Sequence, residues 1–166
     1  ADLLAAKENV VLTGMPGSGK STVGNLLDID DYTFIDTDQE VEKQCGCTIK
    51  ELIAAKGEAY FRHREAAVIR DVSAEGRRIL ATGGGAVLQR ENVRRLKQNG
   101  KLFFLDAPLS RLRATADRPL SDTEEKLARL YAERIELYRA TADVTVPAMA
   151  SPSEEANYIL SQRMER

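Results

Sequence analysis

The sequence has few of the residues that build disulfide frameworks, zinc sites or membrane spans. Of its 166 residues only two are cysteines, Cys45 and Cys47, and only one, His63, is a histidine. Two cysteines make no disulfide framework, and a structural zinc site normally needs four ligands, so we interpret the pair as two thiols near the end of a helix. No run of about 18 apolar residues occurs, which argues against a transmembrane helix.

Neither sign of charge dominates. Lys and Arg together number 24 and Asp and Glu 26, which leaves a net charge of −2. A nucleic-acid-binding protein usually carries a basic excess or a basic stripe. The segment 1–8 has no apolar signal-peptide core. We therefore expect no nucleic-acid partner, no membrane attachment and a cytoplasmic location; a processed organellar enzyme is the alternative.

The length and the hydrophobic fraction of 43% predict one globular domain, 1–166. Short apolar segments alternate with amphipathic helical segments, which is typical of an α/β fold with a parallel sheet covered on both faces. The predicted strands are 9–13, 33–35, 78–81, 101–105 and 144–146. The predicted helices are 20–27, 39–45, 49–56, 58–74, 90–98, 108–115, 124–140 and 153–163.

A phosphate-binding loop lies between the first strand and the first helix. Residues 14–21 read G-M-P-G-S-G-K-S and match G-x-x-x-x-G-K-[ST] at every fixed position. Its glycines allow backbone N–H groups to surround phosphate oxygens, and the following helix adds its positive end. Lys20 supplies a charge for the β- and γ-phosphates, and Ser21 a hydroxyl for Mg²⁺. The expected ATP contacts in this segment are Gly17, Ser18, Gly19, Lys20, Ser21 and Thr22.

The loop by itself does not identify the acceptor of the phosphoryl group. A Ras-type GTPase would carry an N-K-x-D motif, which is absent, and motor ATPases usually have longer chains. The small size and an irregular, arginine-bearing segment at 116–123 favour a nucleotide or metabolite kinase with a mobile lid.

Two aspartates, Asp36 and Asp38, follow the second predicted strand. Residues two apart on an extended segment point to the same side. One carboxylate can help to hold hydrated Mg²⁺, and the other can accept a hydrogen bond from a substrate hydroxyl. The alternative is that Asp38 caps the helix that follows it.

An arginine and a glutamate share one face of a predicted helix with Phe61. Arg62 suits a substrate carboxylate, which it can bind through two parallel hydrogen bonds, and Glu65 would orient Arg62 or bind a hydroxyl. The alternative is an exposed ion pair of little energetic value.

Glycines and further arginines complete the candidate site. The run 83–85, all glycine, follows the third predicted strand and would let a ligand approach the backbone; a loose turn is the alternative. In the lid, Arg118 can reach a γ-phosphate after closure. Arg139, near the end of a long helix, could reach the same cavity. For both arginines a surface position is the alternative.

Taken together, this set of motifs resembles the shikimate kinase family over nearly the whole chain. The matching segments are G-M-P-G-S-G-K-S-T at 14–22, F-I-D-T-D at 34–38, F-R-x-x-E at 61–65, T-G-G-G-A at 82–86, R-P-L at 118–120 and L-Y-R at 137–139. The resemblance implies a monomeric three-layer α/β/α P-loop NTPase fold with sheet order 2-3-1-4-5. It also implies ATP-dependent formation of shikimate 3-phosphate, on the route to chorismate and aromatic amino acids.

The resemblance implies a role for each matching residue. Lys20 and Ser21 would bind ATP and Mg²⁺ with help from Asp36, Asp38 would be the general base, and Arg118 would close onto the transferring phosphate. The implied shikimate contacts are the hydroxyl acceptor Asp38, the carboxylate-binding Arg62 and Arg139, the supporting Glu65, the backbone of Gly83, Gly84 and Gly85, and the apolar walls Phe61, Ile49, Pro119 and Leu120.

The chain departs from the family pattern in three places, and one of them is a short lid. A basic residue and L-A usually follow the loop helix, where 25–28 here reads N-L-L-D. Family members often stack an arginine on adenine; that place here holds Ala114, with Arg113 and Arg111 nearby, and of these we expect Arg113 to contact ATP. The competing interpretations are another small-metabolite kinase, such as a gluconate kinase, and a non-catalytic nucleotide-binding relative.

Overall fold

The computed structural model describes residues 7–115 and 117–164. Within them, five strands form one parallel sheet in the order β2-β3-β1-β4-β5, which confirms the expected topology. The strands are β1 (Asn9–Thr13), β2 (Thr33–Asp36), β3 (Arg78–Ala81), β4 (Gly100–Asp106) and β5 (Val144–Pro147).

Helices cover both faces of the sheet. They are α1 (Lys20–Leu26), α2 (Thr37–Cys45), α3 (Ile49–Lys56), α4 (Glu58–Val72), α5 (Arg90–Gln98), α6 (Glu124–Thr141) and α7 (Pro152–Gln162). Short 3₁₀ turns occur at Ala86–Leu88 and Leu109–Arg111. In the part of the chain that the structure describes, no helix combines the length and apolarity of a membrane span.

The alternation of side chains along β1 divides the core into two layers. Val10 and Leu12 pack on one face with residues of α1 and α7, whereas Val11 packs on the other with residues of α4 and α5. All five residues of β1 are buried because it lies between β3 and β4. A strand enclosed on both faces needs an apolar run, and V-V-L at the centre of N-V-V-L-T provides one.

The connection from β4 to α6 differs from the sequence prediction. The helix expected over 108–115 is wrong, because only the 3₁₀ turn Leu109–Arg111 forms there. Leu112 then adopts an extended conformation (φ −89°, ψ 151°) and its side chain is buried in the core. Burying this leucine outweighs the weak tendency to propagate one turn. The predicted lid begins at Ala116, which lies outside the described residues, and 117–123 is irregular as expected.

Candidate active site

A cavity of about 490 Å³ opens at the carboxyl ends of the strands, where a doubly covered parallel sheet binds ligands. The predicted site residues in its wall are Gly17, Gly19, Lys20, Ser21, Thr22, Asp36, Asp38, Ile49, Phe61, Arg62, Glu65, Gly83, Gly84, Gly85, Arg118, Pro119 and Leu120. Three predicted residues, Ser18, Arg113 and Arg139, are not part of that wall. The wall also contains Arg134, which none of the sequence motifs includes.

The phosphate loop is closed over its own lysine. Gly17 and Gly19 adopt left-handed conformations, with φ of 83° and 100°, which turn the backbone at the loop. The ammonium of Lys20 donates to the carbonyl oxygens of Gly14 (2.8 Å) and Met15 (2.9 Å). Burial lowers the pKa of Lys20 to about 8. The lysine therefore carries its charge at neutral pH and makes contacts that a phosphate group can replace.

A hydroxyl and a carboxylate meet beside the loop. Ser21 Oγ donates to Asp36 Oδ2 at 2.5 Å, and the other oxygen of Asp36 accepts from the backbone N–H of Gln39 at 3.1 Å. Asp36 is therefore the N-cap of α2, so the alternative that Asp38 caps this helix is wrong. These hard oxygen donors fit Mg²⁺, which prefers carboxylate, hydroxyl and phosphate oxygens.

Asp38 is held without a partner in the cavity wall. Its Oδ1 is buried and accepts no hydrogen bond from the described residues. Burial is the main cause that raises the pKa of Asp38 to about 7, and the charges of Glu65 and Asp36 add to it. A carboxyl group with this pKa exchanges a proton near neutral pH and is free to bind a ligand hydroxyl.

Arg62 and Glu65 form a buried pair, so the alternative of an exposed helix pair is wrong. Nη1 of Arg62 donates to Oε1 of Glu65 at 3.0 Å, and the two side chains are 12% and 1% exposed. A second glutamate, Glu58, lies 3.6 Å from Nη2. Burial raises the pKa of Glu65, whose Oε2 accepts no hydrogen bond from the described residues. The pair presents unsatisfied polar atoms to the cavity.

The glycine run packs against these groups too closely to be a loose turn. A Cβ on Gly83 would lie 2.5 Å from Asp38 Oδ1 and 2.8 Å from Glu65 Oε2, and one on Gly85 would overlap the guanidinium of Arg62. A side chain at Gly83 or Gly85 would force these carboxyl and guanidinium groups to move. The glycines thus bring the backbone next to both carboxyl groups and the arginine.

Besides Arg62, the arginine that the long helix α6 contributes to the cavity is Arg134 and not Arg139. Arg134 is buried and lines the cavity, whereas Arg139 is half-exposed and pairs with Glu136 at 3.3 Å. Five residues along an α-helix rotate a side chain by about 500°, which leaves these two arginines about 140° apart. The prediction that Arg139 reaches the cavity is therefore wrong.

The sequence does contain a signal for Arg134. On α6 it lies in line with Leu127 and Tyr138, both of which are fully buried. These spacings of seven and four residues mark one face of a helix. An arginine in such an apolar stripe must have a buried partner or line a cavity.

The lid arginine already touches the phosphate loop. Arg118 Nη1 lies 3.1 Å from where a Cβ on Gly17 would be, and it donates to the carbonyl of Arg113 at 3.3 Å. Arg113 is exposed and donates to the carbonyls of Ser110 and Leu112. Arg118 is thus placed where an anionic ligand of the loop would lie, and the ATP contact of Arg113 stays a prediction.

The cavity therefore has two chemically distinct ends. The loop end has Lys20, Arg118 and the Ser21–Asp36 oxygens, which suit a nucleoside triphosphate with its metal. The other end has two guanidiniums that suit a carboxylate, those of the largely buried Arg62 and the buried Arg134. The unpartnered carboxyl of Asp38 lies in the wall they share. The arrangement can transfer a phosphoryl group to a hydroxyl of a small anionic acceptor.

Comparisons with known proteins agree with this chemistry. The family model described as Shikimate kinase matches residues 16–164. A shikimate kinase of Nitrosomonas europaea is 42% identical over 82% of this chain and 68% of its own length, and one of Persephonella marina is 38% identical over 93% and 98%. Among solved structures, shikimate kinase from Acinetobacter baumannii in complex with shikimate superposes with a TM-score of 0.86 and 34% identity, covering 93% of this chain and 92% of that chain.

Proposed function

Because this chain belongs to the shikimate kinase family, we propose that it transfers the γ-phosphoryl group of ATP to the 3-hydroxyl of shikimate, giving shikimate 3-phosphate and ADP. The observation that carries the proposal is that two arginines, the largely buried Arg62 and the buried Arg134, line the same cavity as the phosphate loop. Shikimate offers one carboxylate and three hydroxyls on a rigid ring, which matches this division of charge.

Arg62 and Arg134 hold the carboxylate and so fix the ring. Arg62 is itself oriented by Glu65, at 3.0 Å. The glycine wall at 83–85 lets the ring approach the backbone, and the side chains of Ile49, Phe61, Pro119 and Leu120 enclose it. A fixed carboxylate on a rigid ring places one hydroxyl beside Asp38, which is the orientation that in-line transfer requires.

The transfer joins the acceptor oxygen to the γ-phosphorus and breaks the bond from that phosphorus to the β–γ bridging oxygen. The hydroxyl proton passes to Asp38, and ADP leaves with the electron pair of the broken bond. Lys20 exchanges its contacts with Gly14 and Met15 for phosphate oxygens. Arg118 compensates the charge from the lid side and helps to exclude water.

We assign a Mg²⁺ site to Ser21 and Asp36. When bound, the ion would neutralise charge on the β- and γ-phosphates. Their side-chain oxygens lie 2.5 Å apart, and the N-cap hydrogen bond fixes the orientation of the carboxylate. A serine directly after the loop lysine supplies the neutral ligand, and the phosphates of ATP supply the rest.

We further propose a single-domain, monomeric, cytoplasmic enzyme. All the assigned groups come from one chain and surround one cavity, so the chemistry needs no residue from a second copy.

The acceptor end is tested with the carboxamide of shikimate, which keeps every hydroxyl and loses the charge. ADP formation from Mg·ATP is followed with shikimate, its carboxamide and gluconate. We expect kcat/KM to fall on the order of 100-fold for the carboxamide, because the charged hydrogen bonds to both arginines are lost. Gluconate should give no turnover. Equal kcat/KM for shikimate and the carboxamide would refute the arginine assignment.

A further inference from the structure

Tyr138 is the largest fully buried side chain of the described residues, and it has no part in the proposed transfer step. Its ring stacks on Phe104 of β4, with centroids 5.2 Å apart and planes inclined by 16°. Stacking on a central strand fixes the ring, and with it the position of the hydroxyl. The tyrosine therefore offers a rigid polar group behind Gly84, which is a residue of the cavity wall.

The hydroxyl of Tyr138 joins two parts of the acceptor site. It donates to the carbonyl oxygen of Gly84, 54 residues earlier in the chain. Arg134 lies one helical turn before it on the same buried face of α6, with its guanidinium close enough to act on the pKa of that hydroxyl. One buried group thus satisfies the carbonyl of Gly84 and adjoins the guanidinium that we assign to the carboxylate. Burial raises the pKa of Tyr138, so the donor proton is retained across the working pH range.

Gly84 extends this connection to the ATP end. A Cβ on Gly84 would lie 2.8 Å from Cδ of Pro16, a residue of the phosphate loop. The peptide of Gly84 is therefore enclosed between the loop on one side and the tyrosine hydroxyl on the other. Displacing it moves the wall of the acceptor site relative to the γ-phosphate position, and in-line transfer tolerates little displacement.

We propose that Tyr138 is a positioning residue that fixes Arg134 and the Gly84 peptide together, and so sets the acceptor against the phosphate loop. The proposal rests on the proposed role of Arg134 in binding the carboxylate. It acts through these two groups and needs no contact between Tyr138 and the substrate. Removing the hydroxyl leaves the carbonyl of Gly84 unsatisfied and frees the Arg134 guanidinium to rotate.

The matched pair Y138F and Y131F tests this role. Each variant deletes one hydroxyl from α6, and Tyr131 lies seven residues earlier, outside the cavity wall. We expect Y138F to raise the KM for shikimate about 5- to 30-fold and to lower kcat, with the KM for ATP changed by less than about twofold. Y131F should match the wild type in all three constants.

The shikimate carboxamide separates positioning from a loss of fold. Because that acceptor makes no charged contact with Arg134, the ratio of wild-type to Y138F kcat/KM should be smaller for it than for shikimate. The proposal would be overturned if Y138F had wild-type kinetic constants, or if it raised the KM for ATP as much as the KM for shikimate. An equal ratio for the two acceptors would overturn it as well.

Two further measurements keep the outcome decisive. R134A reports on the premise: if it leaves the KM for shikimate unchanged, the carboxylate role and the positioning role both fail. If it raises that KM and Y138F does not, only the positioning role fails. Should Y138F not fold, a crystal structure of the wild-type enzyme with shikimate replaces it. Retention of both Tyr138 contacts with Arg134 on the carboxylate supports the proposal, and loss of either contact overturns it.

Discussion

The carboxyl groups of Asp38 and Glu65 flank Gly83, where a methyl group would lie 2.5 Å from one carboxyl oxygen and 2.8 Å from the other. Both of these oxygens are buried and accept no hydrogen bond from residues 7–115 and 117–164. Two carboxyl groups so placed cannot both ionise easily. A ligand hydroxyl bound here would donate the hydrogen bond that the buried oxygen of Asp38 lacks.

The first prediction concerns the pH dependence of catalysis. Asp38 must be ionised to accept a proton, and Lys20 must be protonated to bind phosphate; their pKa values are about 7 and about 8. With both substrates far below saturation, the rate reports the free enzyme. It should rise through about pH 7 and fall above about pH 8. In D38N the rising limb should be absent, and a wild-type-like rising limb in that variant would show that another group controls it.

The second prediction concerns the stability of the unliganded protein. The pKa of Asp38 is raised from 3.8 to about 7, so the folded state holds this proton more tightly than the unfolded state does. The stability contribution of Asp38 therefore falls as the pH rises from about 4 to about 7 and stays low above that. D38N lacks this cost, and we expect it to be more stable than the wild type at about pH 8, by about 1–3 kcal/mol.

Thermal unfolding at about pH 4 and about pH 8 checks the sign. The advantage of D38N should be small at the lower pH and clear at the higher one. A variant less stable than the wild type at about pH 8 would mean that the charged carboxylate is stabilised in the folded protein, contrary to its burial.

The third prediction concerns the metal. S21A removes the hydroxyl that donates to Asp36, whereas S21T keeps one in place. We expect S21A to raise the free Mg²⁺ concentration for half-maximal activity by about 10-fold or more, and S21T to stay near the wild type. ADP formation at saturating ATP against free Mg²⁺ measures this. Identical Mg²⁺ requirements for the two variants would remove Ser21 from the metal site.

The fourth prediction uses two neighbouring glycines that face different ends of the cavity. In G85A the new methyl group overlaps Arg62, and in G84A it meets Pro16 of the phosphate loop. G85A should therefore raise the KM for shikimate more than that for ATP, each overlap costing about 1–3 kcal/mol. G84A should impair ATP binding as well. Steady-state kinetics with each substrate varied distinguishes the two, and identical effects would mean that the glycine run acts as one unit.

Contiguous motifs let the sequence predict the ATP end of the site well. The phosphate loop carries its whole geometry in eight adjacent residues, and Asp36 and Asp38 follow a strand whose carboxyl end had to lie at the same sheet edge. Arg62 was predictable for a similar reason, since Glu65 one turn away marks a paired face of α4.

The long helix α6 shows why motifs did not predict the second arginine of the acceptor site. Whether Arg134 or Arg139 faces the cavity depends on how the helix is rotated against β4, and in that rotation Leu127 and Tyr138 pack into the core with Phe104. The L-Y-R match directed attention to Arg139, whereas the apolar stripe of the same helix points to Arg134. The prediction of a helix over 108–115 failed for a related reason, because burial of Leu112 decided the conformation of that segment.

The most direct test of the account is the KM for shikimate in R134A beside R139A. Both variants remove one arginine from α6, but only Arg134 lies in the cavity wall. We predict that R134A raises the KM for shikimate about 10- to 100-fold with the KM for ATP little changed, and that R139A stays within about twofold of the wild type. A raised KM in R139A with a normal one in R134A would contradict the placement of the carboxylate, and with it the proposed geometry of transfer.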